Sequence, residues 1–238
     1  MDNNYEVIYG RNPIKEALKD NRIKEVFISD TFSDKDLFNE LKKANIKINR
    51  RNNNELTHMV DGNHQGIVAY IKRYEYSSLE DILRVSKREK NPLIIMLDEI
   101  NDPHNLGAII RSADVFGASG IIVKKHHQAL LNSTSAKTSA GAINFVKVAQ
   151  VSNLSQTIKT LKNEGFWIVS ADGSGSLNYT DVKYDFPCVL VIGNEGSGIS
   201  RLVLENSDYI VKIPMHGKIN SLNASVAAAV LMSYIKID

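Results

Sequence analysis

Cysteine is almost absent from this chain: Cys188 is the only one in 238 residues. A single thiol excludes an internal disulfide and a thiolate metal cluster, and it suits a reducing, cytoplasmic compartment. Long apolar runs are missing too; none is uninterrupted enough to span a bilayer. The opening "MDNNYEVIYG" has no basic segment followed by an apolar core, so no secretory signal is read there. Of the six histidines only the adjacent His126 and His127 form a pair, a poor spacing for ligands, and no H-E-x-x-H occurs, so no metal is expected. G-x-x-x-x-G-K-[ST] is also absent. "ADGSGSLNY" offers half of a glycine-rich dinucleotide loop, but "LNYTDVKYDFP" does not supply the helix such a loop needs. That argues against a dinucleotide-dependent dehydrogenase.

What is present is ordinary globular material, 43% hydrophobic and 24% charged, long enough for one large domain or two modest ones. The net charge of +2 identifies no partner, but its distribution is uneven. No Asp or Glu occurs from Val115 to Asn163, whereas Lys124, Lys125, Lys137, Lys147, Lys159 and Lys162 do. A second acid-free stretch, "KKANIKINRR", carries Lys42, Lys43, Lys47, Arg50 and Arg51. Either run alone reads as a solvated face; two in a nearly neutral chain point towards a polyanion. Few aromatics accompany them, so base stacking is not indicated.

Residues 1–74 read as a small α/β unit. "NPIKEALKD" has helical spacing with Pro13 early, "SDKDLFNELKKA" opens on a capping-type Ser33, and "EVFIS", "IKIN" and "GIVAYIKRY" are β-branched runs. Residues 75–91 are charged and poorly periodic; they read as a linker with a short helix at "SLEDIL". From residue 92 to 238 the pattern alternates: "LIIMLDEI", "GIIVKK", "FVKVAQV", "FWIVSAD", "VLVIGNE" and "YIVKIPM" as strands, with helices such as "NLGAIIRSADVFG" and "NLSQTIKTLKNEG" between them. Near-continuous apolar strands predict a mostly parallel sheet with helices on both faces, whose ligands sit beyond the strands' carboxyl ends.

Three polar clusters follow three of these strands. In "DEINDPHNLGAIIRSAD", Asn105 stands where a helix cap belongs, and Arg111 precedes Asp114 by three residues, the spacing of a surface ion pair. Ile109, Ile110 and Ala113 flank Arg111, which predicts partial burial and a need for a partner. In "VLVIGNEGSGIS", Glu195 lies among Gly193, Gly196 and Gly198, glycines that let backbone approach a ligand. In "IPMHGKINSLNASVAAAVLMSYI", a buried helix is expected from Leu222 to Ile235. Asn220, Ser221, Asn223 and Ser225 crowd its start, though Ser221 or Asn223 alone is enough to cap it. The surplus polar groups need partners, and helix-start N–H groups suit an anion.

Taken together, "DPHNLGAIIRSADVFG", "VIGNEGSGIS" and "IPMHGKINSLNASVAAA" resemble, in order and spacing, the signature motifs of the SpoU, or TrmH-like, RNA ribose 2′-O-methyltransferases. The N-terminal "YGRNPIKEAL" and "HQGIVAYIKRY" resemble the extra RNA-binding domain of the branch that methylates a guanosine in large-subunit (23S) rRNA. The resemblance implies a SPOUT fold with a C-terminal trefoil knot, a homodimer, and S-adenosyl-L-methionine held largely by backbone at Ala171, Ile192, Gly193, Ile213 and Leu222. It places catalysis on Asn105, Arg111, Glu195, Ser221 and Asn223, and ribosomal RNA as the partner. Arginine stays protonated, so Arg111 is expected to bind RNA phosphate and steady a developing alkoxide. Glu195 would orient Asn105 and Arg111 or take the proton itself. A tRNA or antibiotic-resistance rRNA methyltransferase, or a non-catalytic ribosome-assembly factor, are the alternatives.

Overall fold

The computed structural model describes residues 5–236, which form two compact units meeting between Glu75 and Tyr76. The first unit runs β1 (Tyr5–Tyr9), α1 (Arg11–Lys19), β2 (Ile23–Ser29), α2 (Lys35–Lys43), β3 (Lys47–Arg51), α3 (Asn53–Met59) and β4 (Ile67–Lys72). Its sheet has the order β1-β4-β2-β3, with β4 antiparallel to both neighbours and β2 parallel to β3. Ile14 and Ala17 of α1 and Leu37 and Leu41 of α2 pack with Val26, Ile28, Ile67 and Ala69 on one face. Leu56 of α3 meets Phe27 and Val68 on the other. The cap of α2 is Asp34, not Ser33: its carboxylate accepts from Leu37 N at 3.0 Å. Helix α3, held by a reciprocal Asn52–Glu55 capping box, buries only Leu56, so it leaves almost no apolar period to read.

The second unit begins at Tyr76, and residues 76–91, with their short helix, pack into it. Tyr76 Oη accepts from Leu131 N at 2.9 Å, Ser77 bridges to Ala149, and α4 (Leu79–Ser86) buries Ile82. There follow β5 (Leu93–Asp98), α5 (Pro103–Val115), β6 (Gly120–Lys124), α6 (Ser133–Thr138), β7 (Val148–Val151), α7 (Leu154–Asn163) and β8 (Trp167–Ala171). The chain ends through β9 (Leu177–Asn178), β10 (Cys188–Gly193), α8 (Arg201–Glu205), β11 (Tyr209–Lys212) and α9 (Ala224–Ile235). All seven strands pair in parallel in the order β7-β6-β5-β10-β8-β11-β9.

The apolar runs are continuous because each central strand feeds two cores. Leu93, Ile95 and Leu97 of β5 and Leu190 and Ile192 of β10 face α5 and α9. Ile94, Met96, Val189 and Val191 face α4, α7 and α8. Each such side chain contributes about 1.5–3 kcal/mol by leaving water. The chain moves outward from β5 to β6 and β7, then returns to the far side of β5. The strand order therefore reverses beside β5, where parallel sheets open a crevice at their carboxyl ends.

Helix α9 is apolar all round but buried on one side only. Ala224, Ala228, Leu231, Met232 and Ile235 are covered, whereas Val226 is 48% exposed and Ala229 and Val230 are half-buried. The expectation of a wholly buried helix is thus corrected. Among the described residues no helix is long and apolar enough to cross a membrane.

Candidate active site

The segments leaving β8, β10 and β11 wall a cleft of about 620 Å³, with the start of α9 closing one side. That volume lies within the roughly 300–1,000 Å³ usual for small-molecule and cofactor sites. Ala171, Ile192, Gly193, Ile213 and Leu222, the five expected cofactor contacts, all line it, as do Glu195 and Ser221. Gly193 is required by the backbone here. A Cβ at this position would lie within 2.6 Å of Gly198 and Ile199 main-chain atoms, so β10 and the returning loop touch along bare backbone.

Asn105 is not a cap. Asp102 caps α5, its carboxylate accepting from His104 N at 2.8 Å, with Pro103 as the first helical residue. Because the capping task lies elsewhere, the Asn105 amide is free to reach across the cleft rim. Its Nδ2 donates to Glu195 Oε1, and its Oδ1 accepts from Asn223 Nδ2 at 2.9 Å. Asn223 is the cap of α9: its Oδ1 accepts from Ser225 N at 2.9 Å and Val226 N at 3.4 Å, and from Ser225 Oγ at 2.6 Å. The cap engages the oxygen of Asn223 and leaves its NH₂ as donor. This fixes the sense of the whole chain Asn223 → Asn105 → Glu195. Two of the first N–H groups of α9, those of Ser225 and Val226, are therefore taken up by Asn223 itself.

The chain ties together α5, the β10–α8 loop and α9, residues 90 and 118 positions apart in sequence. Glu195 and Ser221 both line the cleft; the second carboxylate oxygen of Glu195 and the Ser221 hydroxyl have no hydrogen-bond partner among the described residues. Arg111 stands apart. It is exposed, does not line the cleft, and forms no ion pair with Asp114 or Glu195 among the described residues. Six residues beyond Asn105 on α5, it is turned about 120° away and raised about 9 Å. The expected burial of Arg111 is corrected for the same reason: Leu106, Ile110 and Ala113 take the inner stripe and leave it outside.

Several residues at the site carry no sequence signal strong enough to single them out. Asn194 accepts from Gly196 N at 2.8 Å and Ser197 N at 3.2 Å, and donates to Glu99 O at 2.8 Å. An Asn beside glycine is the pattern of such a turn, and "GNEG" was the available cue. Asp172, which follows β8 and lies beside Gly198, accepts from Ser174 N at 2.9 Å and Ser174 Oγ at 2.7 Å. Behind the cleft, Asp98 is 1% exposed and accepts from Ser200 N at 2.8 Å. Lys124 Nζ lies 2.5 Å from Glu99 Oε1 and 3.7 Å from Asp98 Oδ1. The Lys124 hydrogen bond holds the Glu99 carboxyl below its ordinary value despite some desolvation. Glu99 has φ 63°, a left-handed conformation that costs a non-glycine residue about 1–3 kcal/mol.

Among the described residues no group of three His, Cys, Asp or Glu comes close enough together to hold a metal ion. Full burial pushes the Cys188 thiol upward, which removes it as a nucleophile.

A parallel sheet with a backbone-walled cleft at its strand ends defines an α/β domain of the kind that holds a small cofactor. Comparison with known proteins narrows this. Residues 92–233 match the SpoU rRNA Methylase family, and residues 7–77 match the RNA 2′-O ribose methyltransferase substrate-binding domain. YacO of Bacillus subtilis, assigned to the TrmH family of tRNA/rRNA methyltransferases, is 40% identical over 238 residues, covering 98% of this chain and 95% of its own. A relative from Staphylococcus saprophyticus with the same assignment is 41% identical over 231 residues, covering 95% and 93%. The SpoU methyltransferase AviRb of Streptomyces viridochromogenes, solved in complex with the cofactor AdoMet, shares the fold with a TM-score of 0.70. It is 24% identical over 98% of this chain and 89% of its own. The A. aeolicus TrmH/SpoU tRNA modifying enzyme is 31% identical with a TM-score of 0.57, covering 66% of this chain and 81% of its own. This chain belongs to the SpoU rRNA Methylase family and is an RNA methyltransferase of the TrmH type.

Proposed function

We propose that this protein methylates the ribose 2′-hydroxyl of one nucleotide, a guanosine, in 23S rRNA, using S-adenosyl-L-methionine. The observation that carries the reading is the chain Asn223 → Asn105 → Glu195 on the rim of the strand-end cleft. The cleft fits the cofactor by chemistry as well as size. Ile192, Ile213 and Leu222 give it apolar walls, and the glycine approach at Gly193 bares main-chain groups for a polar nucleoside and amino-acid tail. When bound, S-adenosyl-L-methionine supplies a methyl group already activated on a sulfonium. The protein therefore has to orient the hydroxyl and remove its proton.

Asn105 holds one oxygen of Glu195, which leaves the other to accept the 2′-hydroxyl proton as the new O–C bond forms and the S–C bond breaks. Ser221 and Asn223 position the ribose and its phosphate. Arg111 pairs with RNA phosphate and steadies the oxygen as charge develops. Because Arg111 lies outside the cleft of its own chain, its role is best served in a homodimer. The uncovered apolar face of α9 around Val226 and Val230 supports such an assembly. The knotted path expected of the family belongs to this reading, as does a cytoplasmic location alongside ribosomal RNA.

A tRNA substrate is the second reading, favoured by the 31% identity to the A. aeolicus tRNA modifying enzyme. Mapping ribose methylation in total RNA from a deletion strain separates the two: a lost mark in 23S rRNA supports the proposal, and one in tRNA supports the alternative. With purified protein, Arg111→Lys should abolish methyl transfer, since a point charge does not replace a bidentate fork. Transfer at near wild-type rate would remove Arg111 from the mechanism.

A further inference from the structure

The loop that carries Glu195 is fastened at both ends to one pair of residues. At its start, Asn194 Nδ2 donates to the main-chain oxygen of Glu99; at its end, Ser200 N donates to the carboxylate of Asp98. These two acids are adjacent, one buried and the other in a left-handed conformation, an arrangement that two like charges would drive apart. Lys124, at the last position of the neighbouring strand β6, faces both. It bonds Glu99 and stands 3.7 Å from Asp98 Oδ1, a buried oxygen without a hydrogen-bond partner among the described residues. Lys124 does not line the cleft, so it meets neither substrate nor cofactor there.

We propose that Lys124 is a positioning residue for the Glu195 loop, holding Asp98 and Glu99 together so that both loop anchors stay in register. The inference rests on the proposed role of Glu195 for its catalytic consequence, but the loop's anchoring can be read without any reaction. With Lys124 removed, the acids lose their shared cation, Glu99 relaxes from φ 63°, and its main-chain oxygen turns away from Asn194. The loop then loosens while the sheet beneath it, closed by main-chain pairing of β10 to β5 and β8, does not.

The test is amide hydrogen exchange on the full chain, comparing wild type, Lys124→Met and the double variant Lys124→Met/Asp98→Asn. In Lys124→Met the amides of Gly196, Ser197, Gly198 and Ser200 should exchange at least tenfold faster, with those of β10 and α9 unchanged. The double variant, which removes the buried charge along with its partner, should recover most of that protection at Ser200. In a methyl-transfer assay, Lys124→Met should lower kcat at least tenfold with KM for the cofactor nearly constant, and Lys124→Arg should restore it. Faster exchange spread evenly through the unit, or no change in the loop, would overturn the proposal. If Lys124→Met does not fold, Lys124→Gln takes its place under the same criteria. A positive exchange result without methyl transfer by the wild type would leave the anchoring standing and sink the reaction instead.

Discussion

The two walls of the cleft are built on opposite principles. The β10–α8 wall is closed on itself: Gly196 N and Ser197 N bond to Asn194 Oδ1, Gly198 N bonds to Asn194 O at 2.9 Å, and both ends are tied to Asp98 and Glu99. The β11–α9 wall has nothing comparable. Residues 214–222 form no hydrogen bond among the described residues and are exposed throughout, with Met215 39%, Ile219 76% and Leu222 37% accessible. One wall is preorganised, and a group held there is in place before any ligand arrives, the condition under which it contributes most to a transition state. The other wall has apolar side chains but no framework, so its order has to come from what it binds. The chemistry proposed for Glu195 sits on the first wall, and the adaptable recognition sits on the second.

The strongest blow to the rigid wall is Asn105→Ala. It removes the donor that holds Glu195 and the acceptor for Asn223 in one step, and Asn105 is not one of the buried core residues. Methyl transfer should fall about 10²–10³-fold, as when one preorganised polar group is deleted from an active site. Cofactor binding by calorimetry should stay near wild type. A single-turnover assay on RNA gives the answer, and a rate within twofold of wild type would mean the chain of amides is structural decoration.

A smaller effect is expected at Gly193→Ala. The new methyl group would meet the backbone of Gly198 and Ile199, which cannot rotate aside. Overpacking of this kind costs about 1–3 kcal/mol of stability. It also shifts the wall that the cofactor is proposed to touch, so chemical denaturation and cofactor affinity should worsen together. If affinity is lost while stability is kept, the glycine serves the ligand alone.

These two sites also show what a sequence discloses. The parallel sheet was legible because strands covered on both faces need side chains of one kind at every position, and β5 and β10 have them. The short elements α3 and α6 were not, since each buries too little to leave a period. The polar clusters announced themselves through residues a plain turn does not need, but not their wiring. Asn105 and Asp102 are both cap-forming types, and only Pro103 at the first helical position decides between them. The Lys124–Glu99 contact joins residues 25 apart through a backbone angle that no glycine marks. Arg111 has apolar neighbours in sequence yet lies on the solvent stripe of α5, because one residue along a helix turns the side chain by about 100°.

The smallest effect, and the sharpest test of the asymmetry, belongs to the loose wall. Leu222 lines the cleft but is 37% exposed, so truncating it should scarcely alter the free protein; Leu222→Ala should shift stability by no more than about 0.5 kcal/mol. Once a ligand covers that side chain, each lost methylene is worth about 0.8 kcal/mol. The variant should therefore melt like wild type alone and show a smaller rise in melting temperature with S-adenosyl-L-methionine, because stabilisation by a ligand follows its dissociation constant. A drop of about 2–5 kcal/mol in the free protein would place Leu222 in a packed core. The wall would then be preformed, and the contrast between the two sides of the cleft would be wrong.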